Sequence, residues 1–316
     1  MSLIDLSIIG ENYQYQRTSN FAVKELEDKI KTKYYGGKAE YFMLTGSGME
    51  SVTSAIEYLL PKTGKIVIDN NLYAESRLWL RLIDRYNVVK IDMHDLSAVA
   101  GSVHDADLVF FDNPNMFQEW FDAKEIVRLS HEAGAKVMVD NSVVSFYFYN
   151  PLEDGVDVVV ESYSKYIGGH RDVMAGAIVF GYKPENIARL EAFFGWRGRV
   201  VHPVTAYMLE QRLETLSLRL EKQQETAKYV YGKLKDTGED VRYCGRASMM
   251  LLMGRNKTEA ENLRIFKLFL AYGATFSIAT PSYRPDLYTG YGDYLRLSFG
   301  LEDKDLLLND VLSVLR

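Results

Sequence analysis

The sequence predicts an α/β protein: a mostly parallel central sheet flanked by helices, followed by a smaller C-terminal α+β unit. Three observations predict it. From residue 65 onward, short apolar and β-branched runs alternate with amphipathic helical stretches, which is the pattern of βαβ units. Three of these runs end in polar residues, namely Asp112-Asn113-Pro114-Asn115, Asp140-Asn141-Ser142 and Ser162 to Lys165. That clustering is what a ligand site at the carboxyl edge of a parallel sheet requires. Beyond residue 225 the pattern changes to strands near 248–253, 274–279 and 294–299 with helices near 257–272 and 304–316.

Residues 1–21 have no clear period and carry Tyr13, Tyr15 and Arg17. Such an arm has no place in its own core and is expected to dock on a second subunit. Residues 22–34 read as a charged amphipathic helix. Next, Thr45-Gly46-Ser47-Gly48-Met49-Glu50-Ser51 leads into Val52, Ile56, Leu59 and Leu60 at helical spacing. Glycines at a helix start leave backbone N–H groups open to an anion, so this is a candidate phosphate cradle. A plain capped turn is the other reading. Strands then follow at 65–69, 88–91, 108–111, 136–140, 156–160 and 174–180, with helices near 75–86, 121–133 and 184–195. A long amphipathic helix over about 203–235 leads away from this first domain. The expected division is an arm and helix over 1–45, a large domain over 46–225 and a small domain over 226–316.

Composition bounds the rest. A chain of 316 residues, 47% hydrophobic and 25% charged, has the length for one large or two ordinary cores. A net charge of -6 with no basic run among aromatics argues against a nucleic-acid partner. No apolar stretch approaches the roughly 20 residues of a membrane span. Residues 1–20 also lack the apolar core of a signal peptide, so a cytoplasmic protein is expected. One cysteine, Cys244, leaves no internal disulfide, and the scattered histidines leave no metal-ligand spacing.

The chain is organised around Ser162-Tyr163-Ser164-Lys165-Tyr166-Ile167-Gly168-Gly169-His170, directly after a buried strand. Lys165 there sits at the mouth of a site, flanked by hydroxyls. It reads as a nucleophilic amine forming a Schiff base with a carbonyl, for which pyridoxal 5'-phosphate (PLP) is the commonest partner. A structural or phosphate-contacting lysine is the alternative.

Together these residues resemble the fold-type I PLP enzymes of the Cys/Met-metabolism family, the cystathionine γ-synthases, cystathionine lyases, methionine γ-lyases and O-acetylhomoserine sulfhydrylases. The most specific part is Ser162-x-Ser164-Lys165-Tyr166-Ile167-Gly168-Gly169-His170-x-Asp172-Val173-Met174-x-Gly176. Supporting matches in order are Tyr15-x-Arg17, Ser47-Gly48-Met49, Tyr73, Asp140-Asn141, Leu213-Glu214-Thr215-Leu216-x-Leu218-Arg219 and Leu295-Arg296-Leu297-Ser298. The resemblance implies that Lys165 carries the cofactor and that Asp140 pairs with its ring nitrogen. It implies that Tyr73 stacks on the ring and donates a proton to the departing group, and that Gly48, Met49, Ser162 and Ser164 hold the phosphate. Asn115, with Asn113 competing because the register slips by a residue, is implied as partner of the ring hydroxyl, and Arg296 as the site of the substrate carboxylate. Tyr15 and Arg17 are implied to reach the other subunit's phosphate in a homodimer or dimer of dimers.

The implied reaction is elimination or replacement at the β or γ carbon of a sulfur-containing or activated amino acid. Aminotransferase or cysteine desulfurase chemistry on the same fold, or a PLP-fold binding protein without turnover, are the alternatives. Phe21 stands where the family has proline, and the loop after Phe276-Ser277-Ile278 lacks the family's Gly-Gly-x-Glu-Ser segment. A penicillin-recognising hydrolase reading of Ser162-x-x-Lys165 fails because Lys62-Thr63-Gly64 precedes the serine and lies in a turn.

Overall fold

The computed structural model describes residues 20–198, 201–282 and 292–315. Strands β1 (Tyr41–Thr45), β2 (Lys65–Asp69), β3 (Asn87–Ile91), β4 (Leu108–Asp112), β5 (Lys136–Asp140), β6 (Val158–Ser162) and β7 (Gly176–Phe180) form one sheet in the order β1-β7-β6-β5-β4-β2-β3. The pairings among β2 to β6 are parallel, whereas β7 runs antiparallel to both neighbours. The runs contain so few polar residues because both faces are covered. Along β4, Leu108 and Phe110 enter one core while Val109 and Phe111 enter the other, the period of two that a strand imposes.

Helices α1 (Phe21–Tyr34), α2 (Gly48–Leu59), α3 (Ala74–Ile83), α4 (Leu96–Ser102), α5 (Ala123–Glu132), α6 (Ser145–Phe148) and α7 (Ile187–Gly195) connect and flank these strands. Leu26, Val99 and Ile126 of α1, α4 and α5 pack into the core that holds Val109. Ile56, Leu80 and Leu190 of α2, α3 and α7 pack into the core that holds Phe110. β1 lies within the stretch read as arm and helix, yet it is an edge strand of the large sheet, so that sheet begins before residue 46. Within the described residues, no helix is long and apolar enough to cross a membrane.

The stretch read as one long helix over 203–235 is two, α8 (Pro203–Leu213) and α9 (Leu216–Asp236). Arg219 explains the break. Its guanidinium donates to the Arg212 carbonyl (3.0 Å) and to Thr215 Oγ1 (3.2 Å) across the bend. It also donates to the carbonyls of Tyr166 (2.9 Å) and Ile167 (3.2 Å), tying α9 to the turn that follows Lys165. Arg219→Met should therefore cost about 3 kcal/mol, because buried carbonyls lose a charged donor that an apolar chain cannot replace. The urea midpoint of the full-length protein measures it.

Farther along α9, Ala227, Val230 and Leu234 enter a third core, beneath a five-stranded sheet. That sheet comprises β8 (Val241–Arg242), β9 (Met249–Met253), β10 (Lys267–Leu268), β11 (Ile278–Pro281) and β12 (Tyr294–Ser298), in the order β10-β11-β12-β9-β8. Helices α10 (Lys257–Asn262) and α11 (Lys304–Ser313) complete the unit. The helix expected to reach residue 272 stops at Asn262, since the Asp310 carboxylate accepts the N–H groups of Arg264 (2.9 Å) and Ile265 (2.8 Å) and draws the chain out of the helix. The strand expected at 274–279 begins at Ile278. Residues ahead of it dock on the large domain instead, with the Thr275 N–H donating to the Gly169 carbonyl at 2.7 Å.

Candidate active site

The carboxyl edge of the large sheet and β12 of the small one enclose a cavity of about 380 Å³. Lys165, Asp140, Tyr73, Gly48, Met49, Ser162, Ser164 and Arg296, expected at the site from the motifs and the family resemblance, all line it. Each has a local reason for its place. Lys165 follows β6 in a turn closed by the Gly168 N–H to the Tyr163 carbonyl (2.8 Å) and the Gly169 N–H to the Lys165 carbonyl (2.8 Å). The Ser164 hydroxyl is committed to the backbone of Ala175, accepting its N–H (3.0 Å) and donating to its carbonyl (3.2 Å). Tyr73 opens α3 with its N–H held by Asp112 Oδ2 at 2.8 Å.

Ser47 caps α2 by accepting the Glu50 N–H at 3.0 Å, which leaves the first N–H groups of that helix at the cavity. Gly48 is required there. A Cβ on it would lie 2.7 Å from Ser162 Cβ, inside the gap between the helix start and the end of β6. Gly48→Ala should thus weaken binding of a phosphorylated ligand by roughly tenfold or more, since the helix must shift to relieve the overlap. Titration of the full-length protein with PLP, followed by absorbance, checks it.

Asp112 and Asp140 are register partners on β4 and β5, both line the cavity, and both are buried. Burial pushes both carboxyls up, and the charge of Asp140 pushes Asp112 further. Ser142, whose N–H donates to Asp140 Oδ1 at 2.9 Å, and the Lys165 amine act in the opposite direction on Asp140. These contacts favour the charged form of Asp140 over that of Asp112. Asp112 Oδ1 is buried without a hydrogen-bond partner.

Enclosure by the cavity walls, followed by the charges of Arg296 and Arg171, lowers the pKa of the Lys165 amine to about 8, while Asp140 and Glu75 pull it the other way. Arg296 is anchored by Nη2 to the Ala271 carbonyl (3.3 Å) and Thr280 Oγ1 (3.2 Å). Its buried Nε has no partner, and no carboxylate pairs with it among the described residues.

Asn115 does not line the cavity. Its Oδ1 accepts the N–H groups of Phe117 (2.9 Å) and Glu119 (3.1 Å), and its Nδ2 donates to Glu119 (3.0 Å). Asn113 is likewise engaged, by the Phe121 N–H (2.9 Å) and the Tyr149 hydroxyl (3.4 Å). Met116 lines the wall instead, and neither asparagine reaches the cavity where the ring-hydroxyl contact is expected. Tyr15 and Arg17 lie outside the described residues. Sequence reading missed Asp112, Ser142 and Tyr272, of which the first two sit in strand-end clusters it had marked while Tyr272 carries no local signal.

A buried carboxylate, an amine of lowered proton affinity, a helix start open to an anion and orphaned polar atoms form a donor set that fits a phosphorylated pyridine aldehyde. Residues 8–251 match the family model of the Cys/Met metabolism PLP-dependent enzymes. The chain belongs to this family. PLP is its cofactor, and it is an enzyme of the transsulfuration type. It is 29% identical to the L-methionine gamma-lyase of Pseudomonas putida over 342 residues, covering 96% of this chain and 85% of that protein. Identity to the cystathionine gamma-synthase of Mycobacterium leprae is 32% over 231 residues, 69% of this chain and 58% of that protein. In fold it matches the cystathionine gamma synthase of Xanthomonas oryzae pv. oryzae, solved in complex with aminoacrylate and cysteine, with a TM-score of 0.87, 24% identity, and coverage of 98% and 89%.

Proposed function

We propose that this member of the family catalyses elimination or replacement at the β or γ carbon of a sulfur-containing or activated amino acid. The observation that carries the reading is the meeting in one cavity of the Lys165 amine, the Asp140 carboxylate and an Arg296 guanidinium without a carboxylate partner among the described residues. The bound cofactor supplies an electron sink for the pair released when the substrate's Cα–H bond breaks. Asp140 would hold a proton at the ring nitrogen. The α2 start and the Ser162 hydroxyl would hold the phosphate. Arg296 receives the substrate carboxylate on its planar fork and so aims the Cα–H bond at Lys165. With its amine near pH 8, Lys165 Nζ takes that proton as general base near neutrality. Tyr73, which lines the same cavity, would deliver a proton to the leaving sulfur or oxygen.

The proposal extends to a cytoplasmic homodimer or dimer of dimers in which Tyr15 and Arg17 of one subunit complete the other's phosphate site. Subunit mixing tests it: Lys165→Ala and Arg17→Ala parents are each inactive or weak, and their heterodimer regains one intact site. Activity equal to the sum of the parents, with heterodimers demonstrably formed, defeats the shared site. The reaction itself is tested by ketoacid, thiol and ammonia release from cystathionine, methionine, cysteine and O-acetylhomoserine. Clean transamination, with none of those leaving groups released and no replacement product, overturns it.

A further inference from the structure

We propose that Tyr272 is a positioning residue that steadies both working cations of the cavity on one aromatic ring. The Lys165 Nζ lies 5.0 Å from its ring centroid and the Arg296 Cζ 5.3 Å, both within reach of the ring's negative face. This rests on the reading above, in which Lys165 moves the proton and Arg296 holds the carboxylate.

The placement is enforced from both sides. Gly273 adopts φ +75, and a Cβ on it would lie 2.8 Å from the Tyr166 nitrogen and 3.1 Å from the Lys165 carbonyl carbon, so the loop presses on the lysine's own backbone. Its N–H is fixed by Ser298 Oγ at 3.0 Å, on the strand that carries Arg296. On the other side, the Ala271 carbonyl accepts from Arg296 itself. The Tyr166 ring packs at 5.8 Å and 54°.

The chemistry explains why a ring suits this position. Arg296 and Lys165 repel each other inside a cavity that screens charge poorly, and each needs negative potential nearby. A carboxylate beside Arg296 would supply it but would compete with the carboxylate of the substrate. An aromatic face steadies the guanidinium and leaves its N–H edges open. Burial holds the phenol far above its ordinary range, so the ring presents a neutral surface at working pH. The charged groups that act on Lys165 are Arg296 from β12, Arg171 from the turn, Asp140 from β5 and Glu75 from α3. None of these charges is removed when only residue 272 is changed.

The test compares full-length Tyr272→Phe and Tyr272→Leu. Leucine preserves apolar enclosure without a π face, whereas phenylalanine keeps the face without the hydroxyl. After removal of cofactor, the rate at which each protein recaptures PLP is followed by visible absorbance against pH, which reads the neutral fraction of Lys165. The wild-type midpoint is expected near 8. Phe should reproduce it, and Leu should lower it by about half to one pH unit, because the protonated amine loses its aromatic contact. In the holoenzyme, Leu should raise KM roughly tenfold with a smaller change in kcat, as Arg296 loses its support. An unmoved midpoint and KM in Leu overturn the inference, and so does a shift in Phe equal to that in Leu. If Leu fails to fold, Tyr272→Met makes the same comparison. A wild-type protein that captures no PLP overturns the underlying reading as well, and this is visible before any variant is compared.

Discussion

Lys165→Ala is expected to abolish the borohydride-reducible visible absorbance of the purified enzyme and to lower turnover by roughly 10⁴-fold or more, as removal of a covalent catalytic group does. The expectation rests on position and charge together. Lys165 lines the cavity together with Asp140 and Arg296, and enclosure with two nearby guanidinium groups brings its amine to about 8. Because that value is depressed, the reactive neutral amine becomes dominant as pH rises through 8, and the rate of cofactor capture should climb over that window and level off above it. Lys165→Arg should not rescue, since a guanidinium stays protonated throughout. After borohydride reduction, the label should be found on the peptide that contains Lys165. Finding it on another lysine-containing peptide defeats the assignment.

Arg296→Leu should raise KM for the amino-acid substrate by about 10²–10³-fold, the range expected when one partner of a buried, hydrogen-bonded charge pair is removed. The guanidinium is buried and anchored at Ala271 and Thr280, with its Nε free of partners, so a substrate carboxylate would complete it. Arg296→Lys should recover little, because a point charge cannot reproduce a planar fork. The measurement that decides is a comparison with a decarboxylated substrate analogue, whose weak binding should be the same in wild type and Arg296→Leu. If the variant instead discriminates between acid and analogue as well as the wild type does, Arg296 does not bind the carboxylate.

Much of the fold was legible because local chemistry and tertiary role agree along the large sheet. β-branched runs flanked by amphipathic helices can be buried on both faces in few ways, and the polar residues at the ends of β4, β5 and β6 stand where such a sheet leaves an open edge. The misreadings have a common cause. The helix read over 203–235 keeps its apolar period through the bend, but Arg219 reaches back to Arg212 and across to Tyr166, contacts that no local window contains. The helix read over 257–272 ends early because of Asp310, which lies on α11.

For the site, the sequence by itself determined the residue types and the elements that carry them: Lys165 after β6, Asp140 at the end of β5, a glycine at the start of α2 and an arginine in β12. Only the tertiary structure decided which polar groups are free to act. Asn113 and Asn115 look alike in sequence and are both engaged in holding their own loop, while Asp112 Oδ1 and Arg296 Nε are left without partners. Tyr272 likewise becomes part of the site only when the small domain folds over Lys165. The physical reason is that satisfaction of a polar group is a property of all its neighbours at once, and most of those neighbours come from other parts of the chain.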